Sequence, residues 1–235
     1  MLKYLRQMFR LSGFDIIKYP DRILGKRIDL IRKYKIGLII DVGAGSGGFG
    51  RVMRSAGYKG DIISFEPLKE SFNALQRNSR KDKRWEAINC AIGDKNGEAY
   101  LNVAGNYDSS SILPMSDKHV ASSPSSRNIR TDKIVVRELD SFLDYFNRDS
   151  KGILLKIDTQ GYEEMVLKGA TRSLPIIRGI QVEMSFVELY EGQMLFDEMK
   201  STLEKLGFTL CLLEPGFISP LSGKLLQVDG TFYRI

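Results

Sequence analysis

From residue 36 onward, short apolar runs alternate with stretches whose apolar positions recur at helical spacing. Such alternation is the signature of βα units, because each crossover helix buries its apolar stripe on the sheet it returns across. The pattern predicts strands at 37–42, 61–65, 85–92, 152–157 and 179–184, with helices ending near 56 and spanning 69–79, 163–174 and 193–206. Two more strand-like runs, 208–213 and 225–235, flank the turn-rich segment 214–224, so the sheet should end on an antiparallel hairpin. The expected fold is α/β, a doubly wound and mostly parallel sheet filling residues 36–235 as one domain.

Two segments break the rhythm. Residues 97–139 carry strand-like runs at 97–103 and 133–139, separated by a polar stretch rich in Ser and Asn at 104–131. This reads as a β-containing insertion between the third and fourth core strands, long enough to be functional. Residues 1–35 have helical spacing, with Leu2, Leu5 and Phe9 on one stripe and Lys3, Arg6 and Arg10 on another, interrupted at Pro20. A basic amphipathic helix suits an anionic membrane or one face of the sheet, and a helical cap on the sheet is the expectation.

The densest chemical signal is Asp41-Val42-Gly43-Ala44-Gly45-Ser46-Gly47-Gly48-Phe49-Gly50, between the first strand and its helix. Glycines there let the backbone approach a ligand, and the helix N-terminus offers free N–H groups. Two cofactors compete for the turn. Gly43, Gly45 and Gly48 satisfy the dinucleotide spacing, and Glu66 closes the second strand where a ribose-binding carboxylate belongs. A carboxylate at Asp41 repels a pyrophosphate but suits the cationic methionyl end of S-adenosylmethionine, so the methyl donor is expected over a nicotinamide. A P-loop is excluded, since no Gly-Lys-Ser/Thr follows. The expected cofactor contacts are Asp41, Gly43, Ala44, Gly45 and Gly47 in the turn, Glu66 and Pro67 at the ribose, and Asn89 and Ala91 at the adenine. Asp158, closing the fourth strand where strand order should reverse, is expected to face donor and acceptor alike.

Composition removes several function classes. Lys and Arg total 35 against 29 Asp and Glu, and a net charge of +6 is too small to imply nucleic acid. The longest apolar runs fall far short of the ~20 residues that cross a bilayer, and no signal-peptide core follows Met1, so a cytoplasmic protein without a transmembrane segment is expected. Cys90 and Cys211 lie in separate strand-like runs and read as buried, unpaired thiols. No His/Asp/Glu cluster has recognisable ligand spacing, so no metal is expected.

Ser64-Phe65-Glu66-Pro67, Ala91-Ile92-Gly93-Asp94 and Leu155-Lys156-Ile157-Asp158-Thr159-Gln160-Gly161-Tyr162-Glu163 together resemble the FkbM family of methyltransferases. Similar runs occur at 109–115, followed by His119 and Pro124, and at Glu183-Met184-Ser185, 189–192 and 227–232, so the resemblance spans nearly the whole chain. It implies a class I methyltransferase (Rossmann-like) fold and O-methylation of a sugar, glycan or secondary metabolite. The implied partner is a small-molecule or glycan acceptor. Where family members often carry Asn after Gly-Ala, this chain has Gly45.

An alcohol gains nucleophilicity by losing its proton as the new bond forms, and two residues are candidates for the base: Asp158 and His119. His119 is the single histidine and lies in the polar insertion, the segment best placed to fold over the crevice, although an incidental loop histidine is the plainer reading. Gln160, Glu183 and Gln227 are candidates for orienting acceptor hydroxyls. The basic run 77–84 raises an RNA methyltransferase as the alternative. It should end a helix at the sheet edge opposite the ligand, where positive charge complements the helix dipole.

Overall fold

The computed structural model describes residues 2–13, 19–146 and 152–235. In chain order these form α1 (Leu2–Leu11), α2 (Arg22–Lys33), β1 (Ile36–Val42), α3 (Gly48–Ser55), β2 (Asp61–Phe65), α4 (Lys69–Ser79), β3 (Trp85–Ile88) and β4 (Ala91–Ile92). They continue as β5 (Gly97–Ala104), α5 (Asp117–Ser122), β6 (Asn128–Arg137), α6 (Leu143–Phe146) and β7 (Gly152–Ile157). The chain then completes the fold with α7 (Glu163–Lys168), β8 (Ile177–Ser185), α8 (Phe196–Lys205), β9 (Thr209–Pro215) and β10 (Gln227–Tyr233).

The main sheet has the order β3-β2-β1-β7-β8-β10-β9. Strands β1, β2, β3, β7 and β8 are parallel, whereas β10 runs antiparallel to both β8 and β9. This is the expected Rossmann-like doubly wound sheet, and its order reverses between β1 and β7. Successive residues of β1 serve opposite faces: Leu38, Ile40 and Val42 pack with α7 and α8, while Ile36 and Ile39 pack with α2 and α3. A strand buried on both faces reads as an unbroken apolar run, which is why the core strands were visible in the sequence.

The predicted strand 85–92 divides at Asn89 and Cys90, where the chain leaves the main sheet. Its second part, β4, pairs with β6, and β6 pairs antiparallel with β5, making a separate three-stranded sheet in the order β4-β6-β5. That sheet has its own small core of Leu68, Leu101, Val103, Ile134 and Val136. The connection between β5 and β6 folds back over the main sheet. Ser111 pairs with Asn102, and Met115 with Tyr190.

The predicted helix 163–174 stops at Lys168, because Gly169 begins a turn that the Asp140 carboxylate fastens by accepting from the N–H groups of Arg172 and Ser173. At the N-terminus only α2 meets the expectation of a cap. It starts at Asp21, whose carboxylate accepts from Ile23 and Leu24, and it buries Leu24, Ile28 and Ile31. Helix α1 does not: Tyr4, Leu5, Met8, Phe9 and Leu11 are all exposed. Cys90 follows β3 and Cys211 lies on β9, at opposite edges of the sheet. Both are free, Cys90 buried as expected and Cys211 half-buried because it lies on an edge strand. Among the described residues no helix is long and apolar enough to cross a membrane.

Candidate active site

A cavity of about 440 Å³ opens at the C-terminal ends of β1, β2 and β7, the crevice where an open α/β sheet binds ligands. The Gly-rich turn forms its floor. Gly43 and Ala44 donate their N–H groups to Phe65 O at 3.0 Å, which pins the turn to the end of β2. A Cβ at Gly43 would lie 1.8 Å from Asp158 O, so no other residue permits β1 and β7 to close here. Gly45 has φ 55°, and a Cβ there would meet only Asp108 Oδ1 at an ordinary contact of 3.9 Å; Gly and Asn share this conformation, so the departure from the family's Asn leaves the turn unchanged.

Glu66 reaches across this turn. One carboxylate oxygen accepts from Gly45 N and the other from Leu68 N, both at 2.8 Å, and the side chain lines the cavity. Burial pushes its carboxyl up to about 7, against the opposing pull of those two N–H groups. Each oxygen retains a lone pair for a further donor. Gly43, Ala44, Gly45, Pro67 and Ala91 also line the cavity. Asn89 and Gly47 do not. The Asn89 amide donates to the carbonyls of Glu66 and Pro67 and so braces the end of β2, while Gly47 starts α3 facing Leu75 and Trp85.

Asp41 was expected to meet the cofactor and instead lies wholly buried beneath the turn. Its partner is Lys156, whose Nζ stands 3.3 Å from Asp41 Oδ1 and 3.3 Å from Asp158 Oδ2. Strand register explains the encounter, because Asp41 pairs with Ser64 on one side and with Lys156 on the other, and Lys156 pairs with Gln181. Paired residues share a face, so a polar row runs across four strands under the cavity. Ser64 donates to Asp41 Oδ2 and accepts from the Trp85 indole. Burial penalises the Lys156 ammonium, but Asp158, then Asp41 and Asp229, outweigh it and hold its pKa above the ordinary lysine value. Asp41 therefore acts on the cavity through Lys156.

Asp158 does face the cavity, about one-third exposed. Its Oδ1 accepts from Gln160 Nε2 at 2.8 Å. Gln160 has φ 56°, an uncommon conformation for a residue with a side chain, and it is held there by Ser111, whose hydroxyl donates to its backbone carbonyl, and by three side-chain partners. Its amide donates to Asp158 and to Glu183 Oε2, and its carbonyl accepts from Tyr190 Oη at 2.7 Å. Gln227 donates to the same Glu183 oxygen at 2.7 Å. Glu183 is half-buried and does not line the cavity, and its desolvation, then Asp158 and Glu163, raise its pKa well above the ordinary value. Glu183 and Gln227 thus stand behind Gln160, whereas Gln160 itself lines the cavity. Glu163 closes the loop from within, accepting from Thr159 and Gly161.

His119 is buried on α5, edge-on to Tyr190 and beside Phe217, and does not line the cavity. Burial lowers its pKa, as suits a neutral ring in an aromatic cluster. The insertion does fold over the crevice, but it contributes Tyr107, Asp108, Ser110 and Ile112 instead. The sequence reading also missed Lys156, Gln181 and Asp229. Gln181 is buried, and among the described residues its Oε1 has no partner; burial together with Asp158 pushes Asp229 up to about 6. A lysine inside the otherwise apolar run 153–157, level with Asp41 on the adjoining strand, was the available signal. The basic run 77–84 ends α4 away from the cavity, where Asp82 pairs with Arg54 and Arg84 with Asp61.

The sequence places the chain among the S-adenosylmethionine-dependent methyltransferases. The family model for the methyltransferase FkbM domain matches residues 41–210, and the chain belongs to that family. It is 25% identical to Methyltransferase 1 of Beauveria bassiana, over 92% of this chain and 84% of that protein. It is 26% identical to the 2-O-methyltransferase NoeI of Sinorhizobium fredii, over 67% of each. Among solved structures, a Streptococcus agalactiae protein of the NADB-Rossmann superfamily superposes with a TM-score of 0.50 at 9% identity. That match covers 93% of this chain and 70% of the other, a likeness of fold alone.

Proposed function

We propose that the chain methylates a hydroxyl oxygen of a sugar, glycan or secondary metabolite, with S-adenosylmethionine as donor and Asp158 as general base. The observation that carries this reading is the placement of Asp158: a partly exposed carboxylate at the strand-order reversal, oriented by Gln160 and opening on the cavity that Glu66 and the Gly-rich turn line. The donor fits the residues present. Glu66 keeps free lone pairs for two ribose hydroxyls, Pro67 and Ala91 flank the place for the adenine, and the turn at 43–45 admits a ligand against bare backbone. When bound, S-adenosylmethionine supplies an electrophilic methyl group on a sulfonium.

The protein's own part is positioning and proton transfer. Asp158 takes the proton that the acceptor hydroxyl loses as its oxygen becomes the nucleophile, and Gln160 and Lys156 fix the carboxylate's two oxygens. Gln181 and Asp229 line the acceptor side with unused hydrogen-bond capacity, which suits a ligand rich in hydroxyls. His119 supports Tyr190, which in turn holds Gln160, and so acts at one remove. The name of the 2-O-methyltransferase relative supports transfer to oxygen. The test is a panel of neutral sugars, oligosaccharides and hydroxylated small molecules, scored by mass of the methylated product. Methyl found on nitrogen or carbon, or full turnover by Asp158→Asn, would contradict the reading.

A further inference from the structure

We propose that α1 docks the protein on an anionic membrane surface, lying in the plane of the interface with its apolar side toward the acyl chains. At about 100° per residue, Tyr4, Leu5, Met8, Phe9 and Leu11 fall with Leu2 on an arc of about 180°, and Lys3, Arg6, Gln7 and Arg10 occupy the remainder. Tyr4, Leu5, Met8, Phe9 and Leu11 are solvent-exposed, Tyr4 at 76% and Leu11 at 85%. On a packed helix such residues form a core stripe, as Leu24, Ile28 and Ile31 do on α2, whereas on α1 they are exposed.

Charge selects the occupant. The first 13 residues contain Lys3, Arg6 and Arg10 and no acidic residue. A second copy of α1 would bring like charge to like, whereas an anionic leaflet complements the basic arc while the apolar arc enters the acyl boundary. Ten residues span about 15 Å, half of a bilayer core, so the helix lies on the membrane rather than through it.

The experiment is sedimentation of the full-length protein with vesicles of phosphatidylcholine alone or with about a third phosphatidylglycerol. Lys3 and Arg6 at roughly fivefold each predict a partition about 25-fold stronger on the anionic vesicles, reversed by high salt. Met8→Glu with Leu11→Glu should abolish binding while leaving melting temperature and cofactor affinity unchanged, since both side chains are exposed. Lys3→Gln with Arg6→Gln should weaken anionic-vesicle binding by about 25-fold. Absence of vesicle binding, equal binding to neutral vesicles, or unchanged binding by the double Glu variant would each overturn the proposal. A dimer that the double Glu variant dissolves, without vesicle binding, would assign the face to a second copy instead.

Discussion

Lys156→Met tests the buried polar row most severely. Lys156 and Asp41 stand 3.3 Å apart with almost no solvent contact, and without the ammonium Asp41 keeps only the Ser64 hydroxyl. Removing one partner of a buried pair costs about 3 to 5 kcal/mol, because the remaining charge is stranded in a low dielectric. Asp41→Asn is milder, about 1 to 2 kcal/mol, since Lys156 keeps Asp158 at 3.3 Å. The double variant strands no charge and should be more stable than Lys156→Met alone, with a coupling energy of about 1 to 3 kcal/mol. Urea unfolding of the four proteins supplies the cycle, provided that the slopes agree. A loss below about 1 kcal/mol in Lys156→Met, or strict additivity, would refute the claim that Lys156 neutralises Asp41.

Glu66→Gln should weaken S-adenosylmethionine binding by about 1.5 to 3 kcal/mol, roughly 10- to 150-fold by calorimetry, and unchanged affinity would remove Glu66 from the site. Because ribose hydroxyls donate to the ionised carboxylate, and burial holds Glu66 at about 7 in the free protein, affinity should rise between about pH 6 and 8 and then flatten. The sign for stability is opposite: a carboxyl raised from 4.5 to about 7 binds more protons when folded, so its contribution falls as pH rises across that window and is level above it. Glu66→Gln should abolish both dependences, and a profile shared with wild type would contradict them. Asp158→Asn should lower turnover by about 10² to 10⁴ with donor affinity largely retained. His119→Ala should lose about 2 to 4 kcal/mol of stability by leaving a hole beside Tyr190, yet keep turnover within tenfold where folded. A larger loss of turnover at full folding would restore His119 to the chemistry.

Most of the fold was legible because its core strands are buried on both faces and each is followed by a helix of matching period. That the Gly-rich turn, Glu66 and Asp158 meet at one cavity was equally legible, since each sits where chain direction changes at the C-terminal edge of the sheet. What escaped the sequence was lateral. The meeting of Asp41 with Lys156 and of Lys156 with Gln181 depends on the register between strands far apart in the chain, and periodicity along one strand carries no register. The same holds for Glu183 and Gln227, which share a face but reach the cavity only through Gln160. His119 illustrates a second limit. Its segment does cross the crevice, but α5 turns the ring inward to Tyr190 and Phe217, a choice of packing that composition does not reveal.

In the proposed mechanism the cavity joins a donor site to an acceptor site at Asp158. A crystal structure with S-adenosylhomocysteine tests it most directly. The predicted complex has both ribose hydroxyls on Glu66, the adenine beside Ala91, and the sulfur turned toward Asp158. A ligand bound elsewhere on the sheet, or held in this cavity with its sulfur directed away from Asp158, would contradict the account.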